Sequence, residues 1–180
     1  MIVNPVSMRL ENDIAGGNNI LFTEDYDGVL LTPAARQIAL VSDDGDEVRL
    51  RVDAGVEWDD LVEWAVQHEL WGLENLALIP GKVGAAPVQN IGAYGCEAKD
   101  AIRSVEMFCT ETFNTLVLNR EHCAFGYRDS VFKRSLRGRE MDVLAVAVLA
   151  AVVPQAVGQD HEPRPQHRIV THGLRQGTLV

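Results

Sequence analysis

The sequence predicts an α+β domain, and three observations carry the prediction. Short apolar runs of strand type recur along the chain. Helical periods are few, the clearest running from Trp58 to Leu70. Runs and helix do not alternate as a regular βαβ series would. A length of 180 residues suits one ordinary domain with a real core, and 47% hydrophobic with 23% charged residues is a globular composition.

The elements follow in order. The first dozen residues give no clear period. Gly16-Gly17-Asn18-Asn19 forms a turn-prone cluster leading into Ile20-Leu21-Phe22. Val29 to Leu31 and Ile38 to Val41 are short strand-type runs, and Asp43-Asp44-Gly45-Asp46 is a turn signal. Val48, Leu50 and Val52 then alternate with Arg49, Arg51 and Asp53, as in the half-exposed strand of a hairpin. Over Trp58 to Leu70, Leu61, Val62 and Ala65 share a helical face. Asp59 and Asp60 suit the N-terminal end of the dipole, and Gly72 is the expected C-cap. Ser104 to Thr110 and Thr115 to Leu118 read as paired strands, and Asn119 as the cap of a short helical turn through Cys123. The eleven-residue run Val143 to Val153 supplies a central strand.

Charge and cysteine content narrow the function classes. A net charge of −10 argues against a broad nucleic-acid surface, which needs clustered Lys and Arg. Cys96, Cys109 and Cys123 are odd in number and lack CxxC spacing. They disfavour a disulfide framework or a zinc site and suit a reducing compartment. No basic region followed by an apolar run opens the chain, so no secretory signal is expected. The Val143 to Val153 run is too short to span a bilayer. A cytoplasmic protein with neither membrane nor nucleic-acid partner is expected, with a monomer as the favoured state. After Pro154 periodicity fades, and His161, His167 and His172 lie in an irregular tail where no metal site is expected.

The stretch PGKVGAAPVQNIGAYG, Pro80 to Gly95, has four glycines, three alanines and one charged side chain, Lys82. It lacks the earlier glycine and the Ser/Thr of a Walker A loop, and no GxGxxG follows a strand. Small residues let backbone N–H groups approach an anion, and Gln89 and Asn90 add amide groups that could meet a heterocycle. Tyr94 adds a flat apolar surface with a polar tip. On composition alone, a ligand cradle and tight backbone packing both remain open.

GLENLALIPGKVGAAPVQNIGAYG, Gly72 to Gly95, strongly resembles the UDP-N-acetylenolpyruvoylglucosamine reductase family, flavoenzymes of peptidoglycan precursor synthesis. Three further matches fall in the family's order: GGNNILF (Gly16 to Phe22), AGVEWDDLVEWAV (Ala54 to Val66) and FGYRDSVFK (Phe125 to Lys133). The resemblance implies a two-lobed FAD-binding domain with FAD between the lobes, NADPH as co-substrate and a UDP-sugar as substrate. It implies that Gly16, Gly17, Asn18 and Asn19 present backbone and amide groups to the cofactor's pyrophosphate. Ile79, Pro80, Gly81, Gly84, Ala85 and Ala86 would complete that nest, and Gln89, Asn90, Ile91, Gly92 and Tyr94 would pass near the isoalloxazine ring.

In the family, hydride goes from NADPH to FAD and on to the enolpyruvyl double bond. The arginine of the YRDS motif stabilises charge growing toward the substrate carboxylate. Here that residue is Arg128, the expected catalytic group, with Tyr127 as a substrate neighbour and with Tyr127 and Asp129 positioning it. A salt bridge, for instance with Asp129, is the alternative use of Arg128. No GSFF-like segment supplies the family's proton-donor serine, and Ser130 belongs to the arginine motif. The expected organisation is therefore a divergent segment over 1–14, a partial FAD-binding domain over 15–153 and a tail over 154–180 where a substrate domain would start, the enzyme being cut at both ends. A non-catalytic flavin- or nucleotide-binding module, or a degenerate family member, is the alternative function.

Overall fold

A computed structural model describes residues 12–13, 21–25, 30–45, 47–109, 112–136 and 146–152. Two short strands, β1 (Asn12–Asp13) and β2 (Leu30–Leu31), pair in parallel. The polar pair Asn12-Asp13 thus occupies a strand despite its lack of apolar character. Next come β3 (Ile38–Asp43) and β4 (Glu47–Val52), the hairpin that the alternation predicts. Its turn is closed by side chains, with Gly45 N–H donating to Asp43 Oδ1 at 2.9 Å and Glu47 N–H to Asp44 Oδ1 at 2.7 Å.

Helix α1 spans Trp58–Gln67 and buries Trp58, Leu61, Val62 and Ala65, as its period requires. It ends earlier than the sequence suggests. Glu69, not Gly72, takes the left-handed conformation after the C-cap, at φ 57. Leu70 N–H donates to Ala65 O at 2.8 Å and Glu69 N–H to Val66 O at 3.0 Å, a Schellman closure. The reason is packing: the reversal at Glu69 delivers Leu70 into the core, and that burial offsets the left-handed residue.

The rest of the frame is α2 (Ala86–Gln89), the hairpin β5 (Gly92–Ala93) and β6 (Cys96–Glu97), then β7 (Ile102–Cys109), β8 (Asn114–Asn119) and β9 (Val146–Val152). The predicted short turn is present at Arg120–Cys123, although Asn119 makes no side-chain capping bond. The main sheet is antiparallel in the order β3-β4-β9-β7-β8, so the last strand is central, as its apolar run predicts. Val48, Leu50 and Val52 on β4 face one core with Val105 and Met107 on β7 and the apolar face of α1. The opposite side is charged. Arg51 on β4 reaches Glu106 on β7 at 3.1 Å across β9, and Arg103 reaches Glu47 at 2.8 Å. A hydrogen bond from Arg49, aided by Arg103, holds the Glu47 carboxyl below its ordinary pKa. Among the described residues no helix is long and apolar enough to cross a membrane.

Candidate functional site

The glycine-rich stretch is held first by the segment between β4 and α1. Trp58 N–H donates to Gly81 O at 2.8 Å, Val83 N–H to Val56 O at 2.8 Å and Gly84 N–H to Ala54 O at 3.0 Å. Gly81 has φ 126, where an L side chain would be strained. A 3₁₀ turn at Val83–Ala85 runs into α2, which carries Pro87 in its first turn and stops at Asn90 in the left-handed region, φ 45. The chain then reverses through β5 and β6. Tyr94 and Gly95, both at positive φ, make the two-residue turn of that hairpin. Gly92 is obligatory, since a Cβ there would lie 2.6 Å from Cys96 O. Tight backbone packing therefore explains part of the small-residue composition.

The YRDS motif forms a second, tighter turn. Gly126 N–H donates to Asp129 O at 2.8 Å and Asp129 N–H to Gly126 O at 3.2 Å, with Arg128 left-handed at φ 51. Arginine reaches that conformation at a cost of about 1 kcal/mol, the kind of strain that collects at functional sites. Three bonds clamp this turn onto the glycine stretch. Asn90 Nδ2 donates to Gly126 O at 2.9 Å, Arg128 Nη2 to Gly92 O at 2.5 Å and Ser130 Oγ to Val88 O at 2.7 Å. The structure thus brings Asn90, Gly92 and Arg128 together, with Tyr94 and Tyr127 standing in solvent on the two turns, 90% and 86% exposed.

Asp129 does not pair with Arg128, contrary to the sequence expectation that it positions the arginine. Its carboxylate accepts from Ser130 N–H at 2.9 Å and pairs with Arg134 at 3.0 Å, because the turn points the two neighbouring side chains to different partners. Among the described residues no carboxylate pairs with Arg128. Its planar fork spends one donor on Gly92 O and keeps others for an anion.

The remaining sequence-picked residues divide by role. Asn90 is fully buried, and its amide is committed to Gly126 O and, at 3.0 Å, to Lys99 N–H, so it braces the site from inside. Gln89 and Ile91 are half-buried on either side of it, and Ile79 and Ala85 are half-buried too, while Pro80 is exposed. The N–H groups of Gly84, Ala85 and Ala86 are taken by the carbonyls of Ala54, Lys82 and Val83. Among the described residues, the N–H groups of Ile79, Gly81 and Lys82 have no partner. Gly16, Gly17, Asn18 and Asn19 lie outside the described residues, as do the three tail histidines. Among the described residues no three His, Cys, Asp or Glu side chains gather as a metal site. Sequence reasoning missed Ser130 as a clamp, a residue that carried no signal of its own inside the motif.

Comparisons with known proteins agree with this picture. The model of the FAD binding domain family matches residues 14–112, more than half of the chain. The UDP-N-acetylenolpyruvoylglucosamine reductase of Bacteroides fragilis is 49% identical over 121 residues, which cover 67% of this chain and 36% of the relative. The enzyme of the same name from Burkholderia pseudomallei is 43% identical over 143 residues, 79% of this chain and 40% of the relative. The crystal structure of the Thermus caldophilus UDP-N-acetylenolpyruvylglucosamine reductase superposes with a TM-score of 0.51 at 26% identity, covering 74% of this chain and 43% of that one. The chain thus spans about two fifths of the length of the curated relatives it matches. By sequence and by fold, this chain belongs to the FAD binding domain family and is a homologue of the UDP-N-acetylenolpyruvoylglucosamine reductases.

Proposed function

We propose that this chain is the FAD-holding part of a reductase that converts UDP-N-acetylenolpyruvoylglucosamine to UDP-N-acetylmuramate at the expense of NADPH, in the cytoplasm. One observation carries the proposal. Arg128 is held in a strained turn against the glycine stretch, without a carboxylate partner among the described residues. A cation fixed in that way is suited to an anionic substrate group.

The residues present fit a flavin dinucleotide. Gly81 and Lys82 offer amides without a partner among the described residues to a phosphate, and Gly92 and Tyr94 form a narrow hairpin edge whose exposed aromatic side chain can cover a flat ring. When bound, FAD supplies hydride transfer between the nicotinamide and the substrate's double bond. The chain's own residues bind and orient. Arg128 would hold the substrate carboxylate with the donors it does not give to Gly92 O, and Tyr127 would border that carboxylate. Gly16 to Asn19 would face the cofactor phosphates from the other lobe. We assign the FAD-holding function to residues 15–153, with 1–14 a divergent lead-in and 154–180 the approach to a further domain.

Ser130 is fully buried and donates to Val88 O, so it is not placed to protonate a substrate. That favours, as a second reading, a module that binds flavin without turning over the sugar. Reconstitution with FAD followed by absorbance and fluorescence separates the cases. Bound flavin with NADPH-dependent loss of the enolpyruvyl substrate supports the enzyme. Bound flavin without turnover supports the module. No flavin uptake refutes both.

A further inference from the structure

Among the described residues two polar side chains are fully buried, Asn90 and Ser130, and both lie at one junction. Asn90 Nδ2 donates to Gly126 O, and Ser130 Oγ donates to Val88 O. A position that needs only to be filled takes an alanine at lower cost, since a buried hydroxyl gives up its water and must recover a bond. Two such groups on facing loops, each bonded across the gap, select one arrangement of those loops over other packings of similar area.

The spacing shows what that arrangement holds. On the glycine stretch the bonds fall at Val88, Asn90 and Gly92, and on the facing turn at Ser130, Gly126 and Arg128. Alternate residues meet on each side, and Arg128 sits midway between the two points of anchorage, Gly126 and Ser130. Its guanidinium is exposed, and Gly92 O is the one acceptor it meets among the described residues. From the solvent side, Lys133 Nζ donates to Arg128 O at 3.0 Å. An exposed arginine at φ 51 gains rotamers and sheds strain if its turn loosens. Binding a carboxylate with a planar fork requires the fork to be aimed within about 10–20°.

We propose that Ser130 is a positioning residue: its buried bond to Val88 O holds the turn so that Arg128 presents its remaining donors to the substrate carboxylate. This rests on the proposed function, in which Arg128 binds that carboxylate. It adds to that reading the group that sets the angle of the fork, and it gives the serine of the motif a use other than proton donation. Ser130 is a cleaner handle than Asn90, whose amide also holds Lys99 N–H and so serves the fold beyond the turn.

The test uses the full chain supplied with FAD, its Ser130→Ala and Ser130→Cys variants, and two sugar nucleotides. These are UDP-N-acetylenolpyruvoylglucosamine and UDP-N-acetylglucosamine, which lacks the carboxylate. Calorimetry gives the affinity for each, and thermal melting without sugar reports stability. Wild type should prefer the carboxylate-bearing sugar. Ser130→Ala should weaken that sugar about 10-fold, the equivalent of one net hydrogen bond, and leave the other unchanged. Ser130→Cys keeps a weak donor and should fall between wild type and alanine. If the alanine variant melts below the assay temperature, the cysteine variant alone must still lower the preference. An unchanged preference, whatever the melting point, or an equal weakening of both sugars overturns the positioning role and leaves the proposed function standing. A wild type that binds neither sugar, or both equally, overturns the carboxylate role of Arg128 and the positioning with it.

Discussion

Asn90→Ala should destabilise the fold by about 4 kcal/mol, and the structure says where the loss arises. The side chain is fully buried and makes two bonds, to Gly126 O at 2.9 Å and from Lys99 N–H at 3.0 Å. Truncation leaves both backbone groups unsatisfied, at roughly 1–3 kcal/mol each. Asparagine also tolerates the left-handed backbone at φ 45 better than alanine, a further difference of about 1 kcal/mol. Against an ordinary domain stability of about 5–15 kcal/mol, such a loss is large. Urea unfolding followed by the fluorescence of buried Trp58 measures it. Asn90→Gly separates the contributions, since glycine accepts the backbone and should recover about 1 kcal/mol relative to alanine. Asn90→Asp should be the worst of the three, because it turns a carboxylate oxygen toward Gly126 O. A change below about 1 kcal/mol for Asn90→Ala would refute the bracing role and mean that water replaces the amide.

Three more predictions concern neighbouring features. Gly92→Ala should cost about 1–3 kcal/mol by urea unfolding, since its Cβ would meet Cys96 O at 2.6 Å; an unchanged midpoint would mean the hairpin can open. Arg128→Gly should leave stability within about 1 kcal/mol of wild type, the relieved strain at φ 51 offsetting the lost bond to Gly92 O, while any binding of the proposed UDP-sugar substrate, measured by calorimetry, is abolished. A large stability loss with binding retained would make Arg128 a structural residue. Burial, with a smaller contribution from the Glu121 charge, pushes the Cys123 thiol up to about 11. The unfolded chain ionises first, near the ordinary value of 9.0, so stability should be full below that pH and fall between pH 9 and 11. Cys123→Ala should remove the alkaline dependence, and a slope that persists would place its origin elsewhere.

Much of the main sheet was legible because its strands alternate. Val48, Leu50 and Val52 had to share a face, and Ser104 to Thr110 had to pair with Thr115 to Leu118 whatever else surrounded them. The end of α1 was not legible, because choosing Glu69 over Gly72 depends on Leu70 reaching a core assembled from distant strands. The site shows the same division. Composition located the glycine stretch and the motif located Arg128. The bonds of Asn90 to Gly126 and Arg128 to Gly92 each join residues 36 apart, and no local pattern says which loop will lie opposite.

The central place of β9 has a kinetic consequence. The hairpins β3–β4 and β7–β8 form from neighbouring residues and can appear early in folding. They join into one sheet only when β9 slots between them, pairing from Glu47 to Val52 on one side and from Ile102 to Glu106 on the other. Closing those long loops carries the entropic barrier, so the rate of folding should be set by the arrival of residues 146–152. On the ribosome the two hairpins would wait with open inner edges until that strand emerged, which makes this interval the one in which the chain is most exposed to pairing with another copy.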